Sequence, residues 1–409
     1  MNPIVYAIPV FLLTVLAEAL IASRVRKGAY DLADSIGSLN FGVMSQLAGA
    51  GTKLLTFGIY VAVYSAFHLP AWPAHSLAAG VAALVFYDFC YYWAHRLGHE
   101  VAVLWAAHVV HHSSEYFNLS TALRQTSSGA LFGWIFYIPM ALAGVSPTLF
   151  VTVALIDLLY QYWVHTELID RLGWLDRVLV TPSNHRVHHG QNDYCLDRNY
   201  GGILILWDRL FGTFVDERPG EAIIYGVRKP LHAYNPVWGN LHVYADLWRA
   251  SVQAHGVKAK LAVWLGPPGG GGKAPEPFDP TAFVRYRSRS PKAVQAYVTV
   301  QYALGTLAIV AFLIQIGAMP ALESLAWGLL IVWTLFTQGG LLEGATWAKP
   351  AELVRLILFA VVVEASQRVI GYPLGAAARG ALVVMAGASL VWLWLLRSVG
   401  AGVSDQATA

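Results

Sequence analysis

Histidines are where this chain concentrates its capacity for chemistry. His95 and His99 form an H-x3-H pair. His108, His111 and His112 form an H-x2-HH triplet, and His185, His188 and His189 form a second one. Offsets of three and four residues put side chains on one helix face, so each cluster can aim two or three imidazoles at one point. Neutral imidazole suits zinc, copper, iron and nickel. A structural zinc site needs only four donors and normally includes cysteine. Eight clustered histidines are too many for one ion. The zinc-protease signature H-E-x-x-H is not formed, because Val101-Ala102-Val103 follows His99-Glu100. Haem ligation in a membrane would need facing histidines within spans, whereas these fall at span ends and in a polar stretch. The pattern points to two metal ions and to oxygen activation, although imidazole donors accommodate zinc as well as iron.

Other residues could support such a centre. His165 ends an apolar stretch and is a ninth candidate ligand. Asp88 lies two turns before His95, and Asp157 stands in a comparable relation to His165. A carboxylate so placed can orient an imidazole and raise its basicity. Glu100 follows His99 directly, about 100° around the helix, within reach of a group bound at the metals. Arg124, Arg186 and Asp197 could steady the site electrostatically. His68, His75, His232, His242 and His255 stand alone and read as ordinary polar residues.

The elements that carry these clusters read as membrane helices. Of 409 residues, 56% are hydrophobic and 12% charged, against about 25% charged in a typical soluble domain. Mean hydropathy is +0.51. Nine apolar stretches approach the length of a span, at about 3–22, 53–71, 76–94, 129–145, 147–165, 294–317, 322–340, 352–371 and 379–397. The fourth and fifth are short and meet at Ser146-Pro147, which also fits a re-entrant hairpin. The first lacks a preceding basic region and reads as a span, not a signal peptide. Arg24, Arg26 and Lys27 follow it, and Arg285, Arg287, Arg289 and Lys292 precede the sixth. The positive-inside rule places both groups, and with them the histidines, on the cytosolic side. Arg397 agrees with that orientation, whereas Arg368 and Arg379 fall opposite.

The expected fold is therefore all-α: a polytopic membrane helical bundle with a cytosolic, histidine-rich di-metal cap. Residues 1–291 form a catalytic unit with about five membrane helices. Residues 292–409 form a C-terminal bundle of about four, with no histidine. A Gly/Pro-rich loop near 266–280 lies before that bundle. Cys90 and Cys195 lie in dissimilar surroundings, which argues against a disulfide. No basic, aromatic-interleaved patch suggests nucleic acid.

These boxes resemble the fatty acid hydroxylase/sterol desaturase superfamily, and within it an ether-lipid-cleaving monooxygenase branch. The resemblance covers roughly residues 30–270 and rests on His95-Arg96-Leu97-Gly98-His99-Glu100, His108-Val109-Val110-His111-His112-Ser113-Ser114-Glu115 and Asn118–Gln125. It extends through Tyr162-Trp163-Val164-His165-Thr166-Glu167, Thr181–Gly190 and Asn199–Phe214. It implies non-haem di-iron binding by the eight box histidines, an essential acid at Glu100, O2 and a lipid as substrates, and tetrahydrobiopterin as electron donor. A redox protein is the other candidate donor. The family often begins its third box with histidine, where this chain has Asn184. Rival readings are a fatty acyl, sphingolipid or sterol hydroxylase or desaturase, and a multi-span metal-handling or transport protein. The Glu100 and Asn118–Gln125 match favours the ether-lipid branch. Histidines gathered at one surface, with no internal repeat, disfavour transport.

Overall fold

A computed structural model describes residues 3–73, 75–269, 277–365 and 368–396. Residues 270–276 of the Gly/Pro-rich loop, and Arg397, lie outside them. Three long helices come first: α1 (Pro3–Val25), α2 (Leu32–Phe67) and α3 (Leu77–Glu100). Short helices follow at α4 (Ala102–Ala106), α5 (Val109–His112), α6 (Leu119–Ala122), α7 (Gly129–Gly133) and α8 (Ile138–Leu142). Then come α9 (Pro147–Trp163), α10 (Pro182–His189), α11 (Leu206–Phe211), α12 (Pro236–Gln253) and α13 (Val257–Leu265). The last four are α14 (Lys292–Gln315), α15 (Ala321–Glu343), α16 (Ala348–Ala365) and α17 (Ala376–Leu395). Among the described residues the one sheet is a two-stranded hairpin, Arg368–Val369 with Tyr372–Pro373.

Among the described residues, five helices are long and apolar enough to cross a membrane: α1 from Ala7, α3, α14, α15 and α17. The two halves of α2, Leu32–Thr52 and Leu54–Phe67, are bent by 43° and together make a sixth. Gly49 and Gly51 lie just before that bend, and closely spaced glycines are a common cause of a sharp kink. Outward leucines confirm the setting: Leu13, Leu16 and Leu20 on α1 are 57–66% exposed, a stripe that water would not tolerate at this length.

Three of the nine stretches fall short of a span. The stretch near 129–145 is broken into α7, a 3-10 turn at Trp134–Tyr137 and α8, with Gly133 and Pro139 at the joints. Helix α9 has 17 residues. Helix α16 carries Lys349, Glu352, Arg355 and Glu364. There Glu352 is fully buried and accepts from Arg355 Nε at 2.6 Å, Tyr297 Oη at 2.8 Å and Thr337 Oγ1 at 2.8 Å. A charge this deep is tolerable only with its partner and hydrogen bonds in place.

Consecutive helices α14 to α17 pack against one another, and α14 and α15 also pack on α2. One buried cluster joins Ala33, Ile36 and Tyr234 to Val294, Tyr297, Leu341 and Leu393. The Tyr234 and Asn235 amides both donate to Glu343 Oε1, at 2.7 and 2.8 Å. Helix α14 begins at Lys292, and the core runs across the expected boundary at 291/292.

Candidate metal centre

Helix α3 ends with His95 and His99 one turn apart. The chain turns at Val101, runs through α4, and presents His108 at the start of α5 and His111 and His112 within it. Helix α10 begins at Pro182, a proline-tolerant first-turn position, and ends with His188 and His189. Asn184 Oδ1 accepts from the Thr181 amide at 3.1 Å, closing the first turn. Its own carbonyl accepts from Asn199 Nδ2 at 3.0 Å. The residue that departs from the family's histidine is a helix-start residue here, its Oδ1 taken up by the Thr181 amide and hydroxyl.

All nine candidate histidines converge, and they divide into two groups. His95, His99, His108, His112 and His188 form one; His111, His165, His185 and His189 form the other. Within each, the nitrogens on offer lie within 4.8 Å of one another. The groups adjoin, with the His112 and His189 rings stacked 4.3 Å apart. Each triplet is therefore shared between groups instead of aiming at one point. Residues four apart stay together (95 with 99, 108 with 112, 185 with 189), and the remaining member goes to the other group. At about 100° per residue, a side chain next to one of a pair points well away from its neighbour.

The rings are held by backbone carbonyls. His95 Nδ1 lies 2.8 Å from Tyr200 O, His111 Nδ1 3.0 Å from Arg124 O, His165 Nδ1 2.8 Å from Gln161 O and His188 Nδ1 2.8 Å from Arg198 O. A carbonyl only accepts, so each of these Nδ1 atoms carries the proton and leaves Nε2 with a bare lone pair. Yet His165 Nε2 lies 3.2 Å from His111 Nε2 and 3.0 Å from His185 Nε2. His165 and His111 thus turn two acceptors toward each other at that range, which need a cation between them. An ion about 2.1 Å from each nitrogen separates neighbouring nitrogens by about 3.0 Å at right angles and about 3.4 Å in a tetrahedron. His95 and His112 each place Nε2 3.1 Å from His108 Nε2, the same spacing in the other group. His99 Nε2 and His188 Nε2 are buried without a hydrogen-bond partner. The donor set fits metal ions on these observations.

Burial keeps the donors unprotonated. It lowers the pKa of His108, His112, His165, His185, His188 and His189 well below the usual value and that of His111 to about 4, with neighbouring histidines adding to the shift.

The carboxylates singled out from sequence stand elsewhere. Asp88 does not orient His95, which is held by the Tyr200 carbonyl. Its carboxylate accepts from the Ile203 amide at 2.6 Å, the Leu204 amide at 3.0 Å and Trp207 Nε1 at 2.9 Å. It thus fastens to α3 the loop that carries Tyr200. Asp157 takes a hydrogen bond from Gln161 Nε2. Glu100 is exposed, pairs with Arg96 at 2.9 Å and belongs to neither histidine group. Asp197 is largely exposed, 3.8 Å from His99 Nδ1.

Arg124 and Arg186, named from the sequence, support the site together with two acidic residues that were not, Glu18 and Asp208. Arg124 is 1% exposed and donates to Val110 O at 3.1 Å, Ser113 Oγ at 3.0 Å and Ser38 Oγ at 3.3 Å while its carbonyl holds His111. Arg186 donates to Thr166 O at 3.2 Å and Ile169 O at 2.7 Å, bracing the segment after His165, and pairs with Glu217. That pairing holds the Glu217 carboxyl below its usual range despite burial. Glu18, inside α1, accepts from the Leu119 amide at 2.7 Å and from Tyr30 and Thr166 hydroxyls. Asp208 accepts from the Tyr200 and Gly201 amides at 2.7 and 2.8 Å. An acidic residue within an apolar stretch was the available signal for Glu18; carbonyl acceptors such as Tyr200 O leave none.

Residues 80–213, which hold all nine histidines, match the family model described as fatty acid hydroxylase. An alkylglycerol monooxygenase of Danio rerio is 36% identical over 369 residues, covering 86% of this chain and 80% of the relative. The human alkylglycerol monooxygenase is 36% identical over 368 residues with the same coverage. The chain belongs to the alkylglycerol monooxygenase family. A more distant relative, an ornithine lipid hydroxylase of Rhizobium tropici, is 33% identical over 158 residues, 36% of this chain and 46% of its own. No solved structure matches. Likeness to the alkylglycerol monooxygenases thus extends well beyond the fatty acid hydroxylase segment, over most of a multi-pass membrane chain.

Proposed function

We propose that this chain is a membrane-bound, non-haem di-iron monooxygenase that hydroxylates the carbon beside the ether oxygen of an alkylglycerol. The observation that carries the reading is the pair of adjoining five- and four-histidine groups with lone pairs turned inward. Two iron ions, when bound, would supply the activation of O2. One oxygen atom enters the C–H bond and the other leaves as water, with two electrons and two protons drawn from a donor. Reduced tetrahydrobiopterin is the proposed donor. The hydroxylated carbon is then a hemiacetal, which breaks its bond to the glycerol oxygen and releases an aldehyde and free glycerol.

The protein's own residues do the positioning. Carbonyls of Tyr200, Arg124, Gln161 and Arg198 fix four ring orientations, and burial keeps water from the donor atoms. Asp88 acts through the 203–207 segment as a positioning residue. Glu100, at the exposed edge one residue after His99, is proposed to pass protons between water and the centre. Arg26 at the end of α1 pairs with Glu167 at 2.8 Å, and Arg285 donates to Gly28 O at 3.2 Å. Basic residues therefore gather on the side where His165 lies, which supports a cytosolic active-site face. Residues 1–291 are proposed as the catalytic unit and 292–409 as the membrane bundle that supports it.

Relatives matched over little more than a third of this chain include an ornithine lipid hydroxylase and a fatty acid hydroxylase. They support plain C–H hydroxylation of another lipid as the second reading. One experiment separates the two: the purified protein is assayed for metal, then given O2, reduced pterin and alkylglycerol. About two irons per chain with aldehyde release are expected. Zinc in place of iron would overturn the di-iron reading. Iron with oxidation of a different lipid, and no aldehyde from alkylglycerol, would establish the second.

A further inference from the structure

An apolar cavity of about 110 Å³ lies between α1, α2 and α14. Phe11, Leu39, Val43, Leu123, Val310 and Leu313 supply much of its wall. An apolar cavity of this order stays dry and takes up hydrocarbon. Two features tie it to the metal centre. Its wall includes Leu123 and Gln125, and the carbonyl of Arg124 between them holds His111 of the four-histidine group. Along α2, residues four apart step from the centre to the cavity. Asp34 accepts from Ser114 Oγ at 2.7 Å, Ser38 meets Arg124, and Gly42 packs so closely that an added Cβ would lie 2.4 Å from Leu123 O. Gln46 then lines the cavity, about 18 Å from Asp34 at 1.5 Å per residue.

We infer that this cavity takes the alkyl chain of the substrate lipid, with the chain running along α2 away from the histidines and α14 forming one wall of the substrate site. The inference rests on the alkylglycerol reading above. It gives the C-terminal bundle a direct part in substrate choice, because α14 lies outside the fatty acid hydroxylase segment at 80–213.

The test is photolabelling of the full-length, metal-loaded protein in nanodiscs, without O2, by an alkylglycerol whose chain ends in a diazirine. Labelled peptides from α2 around Val43–Gln46 and from α14 around Thr306–Leu313 are expected, competed by unlabelled alkylglycerol but not by phosphatidylcholine. Val310→Trp should reduce that labelling by about tenfold or more and Val310→Phe by less, since even a methylene decides fit in such a pocket. Leu307→Trp, on the exposed side of α14, should leave it unchanged. In turnover, Val310→Trp should lose long-chain alkylglycerols before short ones. Labels elsewhere, labels competed equally by phosphatidylcholine, or equal loss in Val310→Trp and Leu307→Trp would overturn the inference. Specific labelling here without aldehyde release would support the chain site and defeat the proposed reaction instead.

Discussion

At the scale of single residues, the division into five and four gives each histidine a distinct address. His112→Ala should drop iron from about two to about one per chain by depleting the five-histidine group, and His111→Ala should deplete the other, as element analysis of the purified variants will show. Neither should retain turnover. Glu100 stands apart from both groups and pairs with Arg96 at the surface. Glu100→Gln should therefore leave iron content and melting temperature unchanged while turnover falls. Iron loss in that variant would place the carboxylate at the metal. Acid should act through the donors. A histidine whose folded-state pKa lies below its unfolded value contributes stability that is present above the unfolded value and lost on acidification. For His111 that window runs from its usual 6.5 down to about 4. The melting temperature of the metal-stripped protein should fall across that interval, with the other buried histidines adding to the loss.

Elements explain why these residues meet, and they also mark where sequence reading stopped. Three spacings of four residues announced three helix faces, and the histidines do sit at the end of α3 and in α5 and α10. Sharing of each triplet between two groups was hidden, because it depends on how short helices are turned relative to one another. Asp88 seemed matched to His95 by helical spacing, but a carbonyl from residue 200 reached that ring first. Such an acceptor is the same in every residue type and carries no signature. The loop bearing it is seated tightly: a Cβ on Gly202 would lie 2.8 Å from Asp88 Oδ1, Asp157 Oδ1 and the Tyr91 ring. Gly202→Ala should destabilise the protein by about 1–3 kcal/mol, the usual range for overpacking, and reduce iron occupancy; thermal melts with metal analysis will check both. Asn184→His should add no ligand. Its expected effect is a weakened start to α10, about 1 kcal/mol as for other caps, with iron per chain unchanged.

For the whole molecule, composition was enough to indicate a multi-pass membrane protein, and too generous in counting spans. Hydropathy treats an apolar residue facing lipid and one facing protein alike. The stretch near 129–145 and helix α9 pack beside α2 and α3, where Met140, Val145, Leu149 and Val153 are buried in one cluster with Tyr60 and Ala83. The catalytic unit and the C-terminal bundle were separable by their histidines but not by their packing. Ending the chain at residue 291 would strip α14 and α15 from α2 and uncover Ile36 and Tyr234. Such a truncation should insert poorly and retain no iron, measured by membrane fractionation and metal content against the full chain.

The uneven donor sets also have a consequence for assembly. Five imidazoles surround one position and four the other, so the two ions would neither bind with equal strength nor keep equal room for an outside molecule. Filling should be ordered, the five-donor position first, and a ferrous titration of the stripped protein should break into two steps. A half-filled chain would then be a defined species, in which the less crowded position beside His111 and His165 waits for its ion.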